Sequence, residues 1–186
     1  MPAQAEGGTG LLRILSYGAA VLRQVAIEAQ PGSGETRELL DDMWRTLTDD
    51  GGVGLAAPQV GVARRVIVVR NPEQPAARQR LDLVNPRVIR TFGDDHPFEE
   101  GCLSFPGLYT TVWRPRGVEV EFHDIDGQVQ RLKDDGLVAR IILHEIDHLE
   151  GILFIDHLSF ARRLWHLPRL TLILAGNVLG KMRFKR

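Results

Sequence analysis

Apolar residues recur at helical spacing in two stretches of the chain and at strand spacing in several others. Through Glu35–Thr48, Leu39, Leu40, Met43, Trp44 and Leu47 follow at intervals of one, three, one and three, which predicts an amphipathic helix. Ser33 or Thr36 stands where its N-cap belongs. Arg65–Arg70 (RVIVVR) and Leu81–Val84 read as strands separated by a polar turn rich in Pro and Gln. Val118, Val120 and Phe122 alternate with Glu119, Glu121 and His123, the pattern of a half-buried strand, and Asp124-Ile125-Asp126-Gly127 turns it into Val129–Leu132 as a hairpin. Segment 137–149, LVARIILHEIDHL, predicts a second helix. Leu137, Ile141, His144 and His148 succeed one another by four, three and four, so they share one stripe. Asp134 and Asp135 precede it as capping and acidic N-terminal residues, and Gly151 follows as a stop. Strands interspersed with a few helices and joined by hairpins predict an α+β fold, not a doubly wound parallel sheet. The expectation is a single compact domain of mostly antiparallel strands around the 137–149 helix, with a C-terminal helical extension.

That second helix carries chemistry. His144-Glu145-Ile146-Asp147-His148 places two imidazoles four residues apart on one face, where both can reach a single metal ion. Glu145, next to the first histidine, falls where a general base for a metal-activated water belongs. A solvated helix surface would also tolerate this pentapeptide. The apolar residues around it argue instead for burial, and buried polar groups are costly unless satisfied, as a metal would satisfy them.

A structural zinc needs four protein ligands, and the chain holds one cysteine, Cys102, in Glu99-Glu100-Gly101-Cys102-Leu103-Ser104. A lone cysteine is often an inert packed thiol. Joined to the helix pair, Cys102 completes a Cys-His-His set with a fourth position open to water, the pattern of a catalytic site. Gly52-Val53-Gly54-Leu55-Ala56-Ala57-Pro58-Gln59 is a third candidate. Its small residues let backbone approach a ligand, and the Gln59 amide can donate toward a developing oxyanion. It lacks the Gly-Lys-Ser/Thr and the G-x-G-x-x-G of phosphate cradles, and taken alone it also reads as a simple connecting loop.

Together these three segments resemble the peptide deformylases, a family recognised by Gly-x-Gly-Leu-Ala-Ala-x-Gln, Glu-Gly-Cys-Leu-Ser and His-Glu-x-x-His in that order. Here they stand as Gly52–Gln59, Glu100–Ser104 and His144–His148, and the resemblance runs from about Ile14 to about Leu158. It implies a metallohydrolase that removes the N-formyl group from the formyl-methionine of newly made polypeptides and releases formate. It further implies Cys102, His144 and His148 as metal ligands, and Glu145 as the base that passes a proton to the departing amine. The Gln59 side chain and the Leu103 N–H would hold the oxyanion. Gly54 would bond an extended substrate, Val53, Leu137 and Ile141 would line the methionine pocket, and Fe²⁺ would be the ion, with Zn²⁺ or Ni²⁺ able to substitute. The family's Asp-Pro-x-Leu-Arg is replaced by Gly18-Ala19-Ala20-Val21-Leu22-Arg23. Leu143 stands where relatives often carry glutamine, and Tyr109 where many carry a substrate-holding arginine.

With 186 residues, 44% of them hydrophobic, the chain can bury one substantial core. The expected division is a flexible tail over 1–12, a catalytic domain over 13–158 and a basic extension over 159–186. One cysteine excludes an internal disulfide, which suits a reducing compartment. Neither a secretory signal nor an Arg- and Ser-rich transit peptide is visible, so a bacterial-type cytoplasmic location is expected and an organellar one stays open. The formal net charge of −1 hides an asymmetry. Arg162, Arg163, Arg169, Lys181, Arg183, Lys185 and Arg186 lie after His157 with no acid among them, giving +7 against −8 for the rest. Such a tail is a handle for a polyanion, and the family resemblance points to the ribosome; salt bridges to the acidic body are the competing reading. The apolar run Leu170–Leu179 is too short to span a bilayer, and the oligomeric state is left open. Two other functional classes compete: a zinc-dependent endopeptidase, which does not need Cys102 or the Gly54/Gln59 segment, and a non-catalytic metal-containing binding module.

Overall fold

In the computed structural model, residues 10–183 are described, with side chains through 176. Five strands form one antiparallel sheet in chain order: β1 (Gly54–Ala56), β2 (Val66–Arg70), β3 (Arg80–Gly101), β4 (Tyr109–His123) and β5 (Val129–Asp134). Helix α1 (Gly34–Asp49) covers one face, α2 (Leu137–Leu149) the other, and α3 (Phe160–Arg183) follows at the C-terminal end. The expected α+β architecture is therefore the observed one.

The β2 sequence shows why the sheet is sandwiched. Its four apolar residues are fully buried, which a strand covered on one side cannot achieve. Val66 and Val68 meet Leu40, Met43 and Leu47 of α1, while Ile67 and Val69 meet Ile141, Ile142 and Leu149 of α2. In β4, Val118, Val120 and Phe122 turn into the α2 core and Glu119, Glu121 and His123 away from it, as the alternation predicts. Ser33 is the N-cap of α1, its side chain accepting from the Thr36 N–H. For α2 the N-cap position is Gly136, one residue beyond the predicted acidic pair. Asp134 nevertheless caps the helix, since its Oδ1 accepts from Gly136 N and Ala139 N at 2.8 Å each.

The largest departure from expectation is β3, which continues 17 residues past the predicted end at Val84. Pro86, Gly93 and Pro97 argue against a strand, and irregularities in the ladder between Val84/Arg87 and Phe92/Asp95 absorb the first two. The continuation is mostly exposed and pairs with β4 as an arm. Its consequence is functional: the arm closes at Gly101↔Tyr109, so Cys102 sits in the hairpin loop that follows. Leu12, assigned to a flexible tail by the sequence, donates its N–H to Thr46 Oγ1 at 2.8 Å and packs beside α1. Residues 1–9 and 184–186, with Lys185 and Arg186, lie outside the described residues; no helix of the described residues is long and apolar enough to cross a membrane.

Asn85 pins the strap before α1 to the sheet. It adopts a left-handed φ of 52°, and its buried amide both donates to Ala29 O and accepts from Ala29 N, each at 2.9 Å. Asn85→Ala is expected to cost about 2–4 kcal/mol, from two lost buried hydrogen bonds and an alanine forced to positive φ. Urea denaturation would measure it, and an unchanged midpoint would contradict this role.

Candidate active site

Helix α2 enters the core with three polar side chains on its buried stripe. His144, Glu145 and His148 are 8%, 4% and 1% exposed, so water does not satisfy them. Cys102 approaches from the β3–β4 hairpin, and the ligand atoms of Cys102, His144 and His148 all lie within 4.8 Å of one another. Cys102 Sγ stands 3.3 Å from His148 Nε2. The sequence-predicted ligand set is thus brought together, with Cys102 42 and 46 positions before the two histidines.

Its surroundings fix each group. Glu100, 5% exposed, accepts from Arg114 Nε at 2.7 Å and Nη2 at 3.1 Å, and from Arg140 Nη1 at 3.2 Å. Its other bond, 2.9 Å to His144 Nδ1, turns the opposite ring nitrogen toward Cys102. Burial raises the Glu100 pKa, but hydrogen bonds from His144 and Arg114 outweigh it and hold the carboxyl at about 2. Glu100 is therefore an anion, and His144 Nδ1 is the donor. Arg114 reaches Asp147 Oδ2 at 2.6 Å, and that oxygen also meets His157 Nε2 at 2.7 Å.

The donor set fits a divalent cation. Burial disfavours charge on His144, yet bonding to Cys102 and Glu100 raises it to about 10, while burial and the neighbouring His144 charge push His148 well below its ordinary value. A sulfur and two imidazoles packed together out of water are the donors a divalent ion takes. Donor atoms around a tetrahedral ion stand about 3.5 Å apart, close to the 3.3 Å between Cys102 Sγ and His148 Nε2. Glu145 Oε2 is buried without a protein hydrogen-bond partner, and burial raises this carboxyl to about 7 against the opposing pull of His144.

Strand β1 supplies the opposite wall. A Cβ on Gly54 would lie 2.4 Å from Glu145 Oε1 and 2.6 Å from Ile141 Cγ2, so only glycine admits α2 this close. Gln59, on the short helical turn after β1, is 1% exposed, and its Oε1 accepts from Ala56 N at 2.8 Å. That bond aims Nε2 at Cys102 Sγ (3.4 Å) and Ser104 Oγ (3.3 Å). A cleft of about 510 Å³ opens above these groups and is lined by Val53, Gly54, Leu103, Tyr109, Leu137 and Ile141, among others. All eleven residues singled out from sequence thus meet at this cleft or line its floor. Sequence reading missed Glu100, Arg114, Asp147 and Ser104. Glu100 and Ser104 flank Cys102 closely enough to have been suspected. Arg114 has no spacing signal: it lies opposite His96 on the buried face of β4, and only its long side chain in the folded arm reaches Glu100.

Fold and site define a class: a hydrolase of α+β architecture with a candidate metal centre between a helix and a hairpin loop. The chain belongs to the polypeptide deformylase family, whose model matches residues 11–163, and is an enzyme of that kind. It is 44% identical over 159 residues to the peptide deformylase of Thermomicrobium roseum, covering 83% of this chain and 90% of that protein. Identity to the peptide deformylase of Cytophaga hutchinsonii is 37% over 175 residues, 92% of this chain and 95% of the other. Among solved structures, a peptide deformylase from Synechococcus elongatus in complex with actinonin superposes with a TM-score of 0.79 at 39% identity, covering 91% of this chain and 89% of that one. The Plasmodium falciparum peptide deformylase gives 0.83 at 30% identity, covering 88% and 96%.

Removing the anion from the network should be severe. Glu100→Gln leaves the buried Arg140 without its carboxylate and Arg114 with Asp147 alone, and an expected loss of about 3–5 kcal/mol follows. Thermal unfolding would then fall by roughly 10 °C. A melting temperature within a degree or two of the parent would show that the network contributes little.

Proposed function

We propose that the chain hydrolyses the N-formyl group from the formyl-methionine at the start of newly made polypeptides, releasing formate. The observation that carries this reading is the meeting of Cys102, His144 and His148 beside a buried carboxylate, Glu145 Oε2, that has no protein partner.

In this reading Cys102, His144 and His148 hold one Fe²⁺, for which Zn²⁺ or Ni²⁺ can substitute. When bound, the ion acts as a Lewis acid that makes a water nucleophilic near neutral pH. The residues of the chain do the rest. Glu145 takes a proton at its unpaired carboxylate oxygen and delivers it to the departing amine nitrogen, so the leaving group departs neutral. The Gln59 Nε2–H and the Leu103 N–H hold the oxygen of the formyl group as charge develops on it, and Gln59 is pre-aimed by its bond to Ala56. Gly54, at the edge of β1, offers main-chain hydrogen bonds to an extended peptide. Val53, Leu137 and Ile141 form an apolar recess for an unbranched thioether side chain, and Tyr109 borders the path of the residues after methionine. Such an enzyme would act in the cytoplasm on nascent chains, and the acid-free basic extension supports contact with the ribosome.

Formate release from formyl-Met-Ala-Ser by anaerobically purified, iron-loaded protein tests the reading directly. Glu145→Ala should lose at least 10³-fold in kcat while keeping about one metal per chain by elemental analysis. Loss of metal in that variant would mean that Glu145 has been given the wrong role. Activity of the iron form should decay in air and persist with nickel; equal activity of the zinc form would remove the preference for iron.

A further inference from the structure

Helix α3 does more than extend the fold. Arg162, His166 and Arg169 follow at spacings of four and three, so they form one stripe, and each reaches the hairpin segment beyond Cys102. Arg169 Nη2 donates to Pro106 O at 2.8 Å, His166 Nε2 meets Thr110 Oγ1 at 3.1 Å, and Arg162 Nη1 donates to Thr111 O at 3.3 Å. Beside the stripe, Leu170 and Ile173 pack on Phe105 and Leu108. Gly107, at φ 69°, is the residue that admits this approach: a Cβ there would stand 2.2 Å from Arg169 Nη2.

These contacts straddle Tyr109. This residue is 64% exposed and lines the cleft, and its ring lies over the backbone of Gly101, where a Cβ would be 2.4 Å from the ring. The segment between Cys102 and Tyr109 has few bonds besides those to α3: Phe105 N to Cys102 O at 2.8 Å, Leu108 N to Phe105 O at 3.0 Å, Tyr17 N to Ser104 O at 2.8 Å, and Gln59 Nε2 to Ser104 Oγ at 3.3 Å. None of these holds Pro106 or the start of β4 on its outer side. The basic stripe does.

We propose that Arg169, with His166 and Arg162, is a positioning residue for the cleft wall that carries Tyr109, so that α3 takes part in selecting peptides long enough to reach that wall. The inference rests on the deformylase reading for its substrate, but the bracing itself does not. A formyl-methionine without following residues occupies the recess beside α2 and does not touch Tyr109. A peptide with two further residues passes along it. Loosening the wall should therefore penalise the longer substrate alone.

The test uses the full-length, metal-loaded chain and the variants Arg169→Ala, Arg169→Lys and Thr110→Val, the last removing the His166 contact from the loop side. Amide hydrogen exchange at Leu108 should quicken at least fivefold in Arg169→Ala, with the α2 amides unchanged. KM for formyl-Met-Ala-Ser should rise three- to tenfold with kcat within twofold, KM for formyl-Met should stay constant, and Arg169→Lys, which keeps one donor for Pro106 O, should recover most of the loss. Thr110→Val should shift KM in the same sense and keeps the test open if Arg169→Ala does not fold. Unchanged exchange at Leu108 in both variants, or an equal rise of KM for both substrates, would overturn the proposal. If the parent chain releases no formate, the deformylase reading fails, and the exchange rates still decide whether α3 holds the loop.

Discussion

Glu100 is the anion on which the site depends. It is buried with both oxygens bonded, and its partners belong to two elements: Arg114 on β4, and Arg140 and His144 on α2. Taking a carboxylate and two guanidinium groups out of water is costly, and the arrangement holds because every charge has an opposite charge and a hydrogen bond at 2.7–3.2 Å. In return the network fixes where α2 lies against the β3–β4 arm. It also sets the tautomer of His144, and so the direction from which a metal is met. Glu100 stands two residues before Cys102, so the group that orients one candidate ligand is tied by the chain to another.

From this follows a division of labour across the cleft. Helix α2 contributes two imidazoles and a carboxyl group with one oxygen left without a hydrogen bond, the hairpin loop contributes sulfur, and β1 with its following turn contributes a glycine edge and an aimed amide. Each contribution is rigid for a local reason: Gly54 because Ile141 and Glu145 fill the space of its missing side chain, Gln59 because Ala56 N holds its oxygen. Preorganised dipoles around a reacting carbonyl need no rearrangement when charge develops, which is where catalytic advantage arises.

Much of this was legible in the sequence. The α2 boundaries fall at the predicted 137 and 149, because an apolar stripe at helical spacing and a stop glycine leave little freedom. The β4–β5 hairpin is where Asp124–Gly127 places it, with the Gly127 N–H bonded to Asp124 O at 3.0 Å. Candidate ligands and base were legible because the chemistry demands particular residue types at fixed spacing. The distal half of β3 was not, since it is exposed and interrupted by proline and glycine, and its pairing with β4 is a long-range fact that local pattern does not carry. Arg114 and Asp147 were missed for the same reason: their roles depend on the register of that pairing and on the angle at which α2 crosses it.

The central claim is that sulfur from the hairpin and two nitrogens from α2 bind one metal in the cleft. X-ray absorption at the iron edge of the anaerobically loaded chain tests it most directly. The account predicts one sulfur at about 2.3 Å and two imidazole nitrogens at about 2.1 Å, with the sulfur shell lost in Cys102→Ala. A first shell of oxygen and nitrogen alone in the parent chain would contradict it.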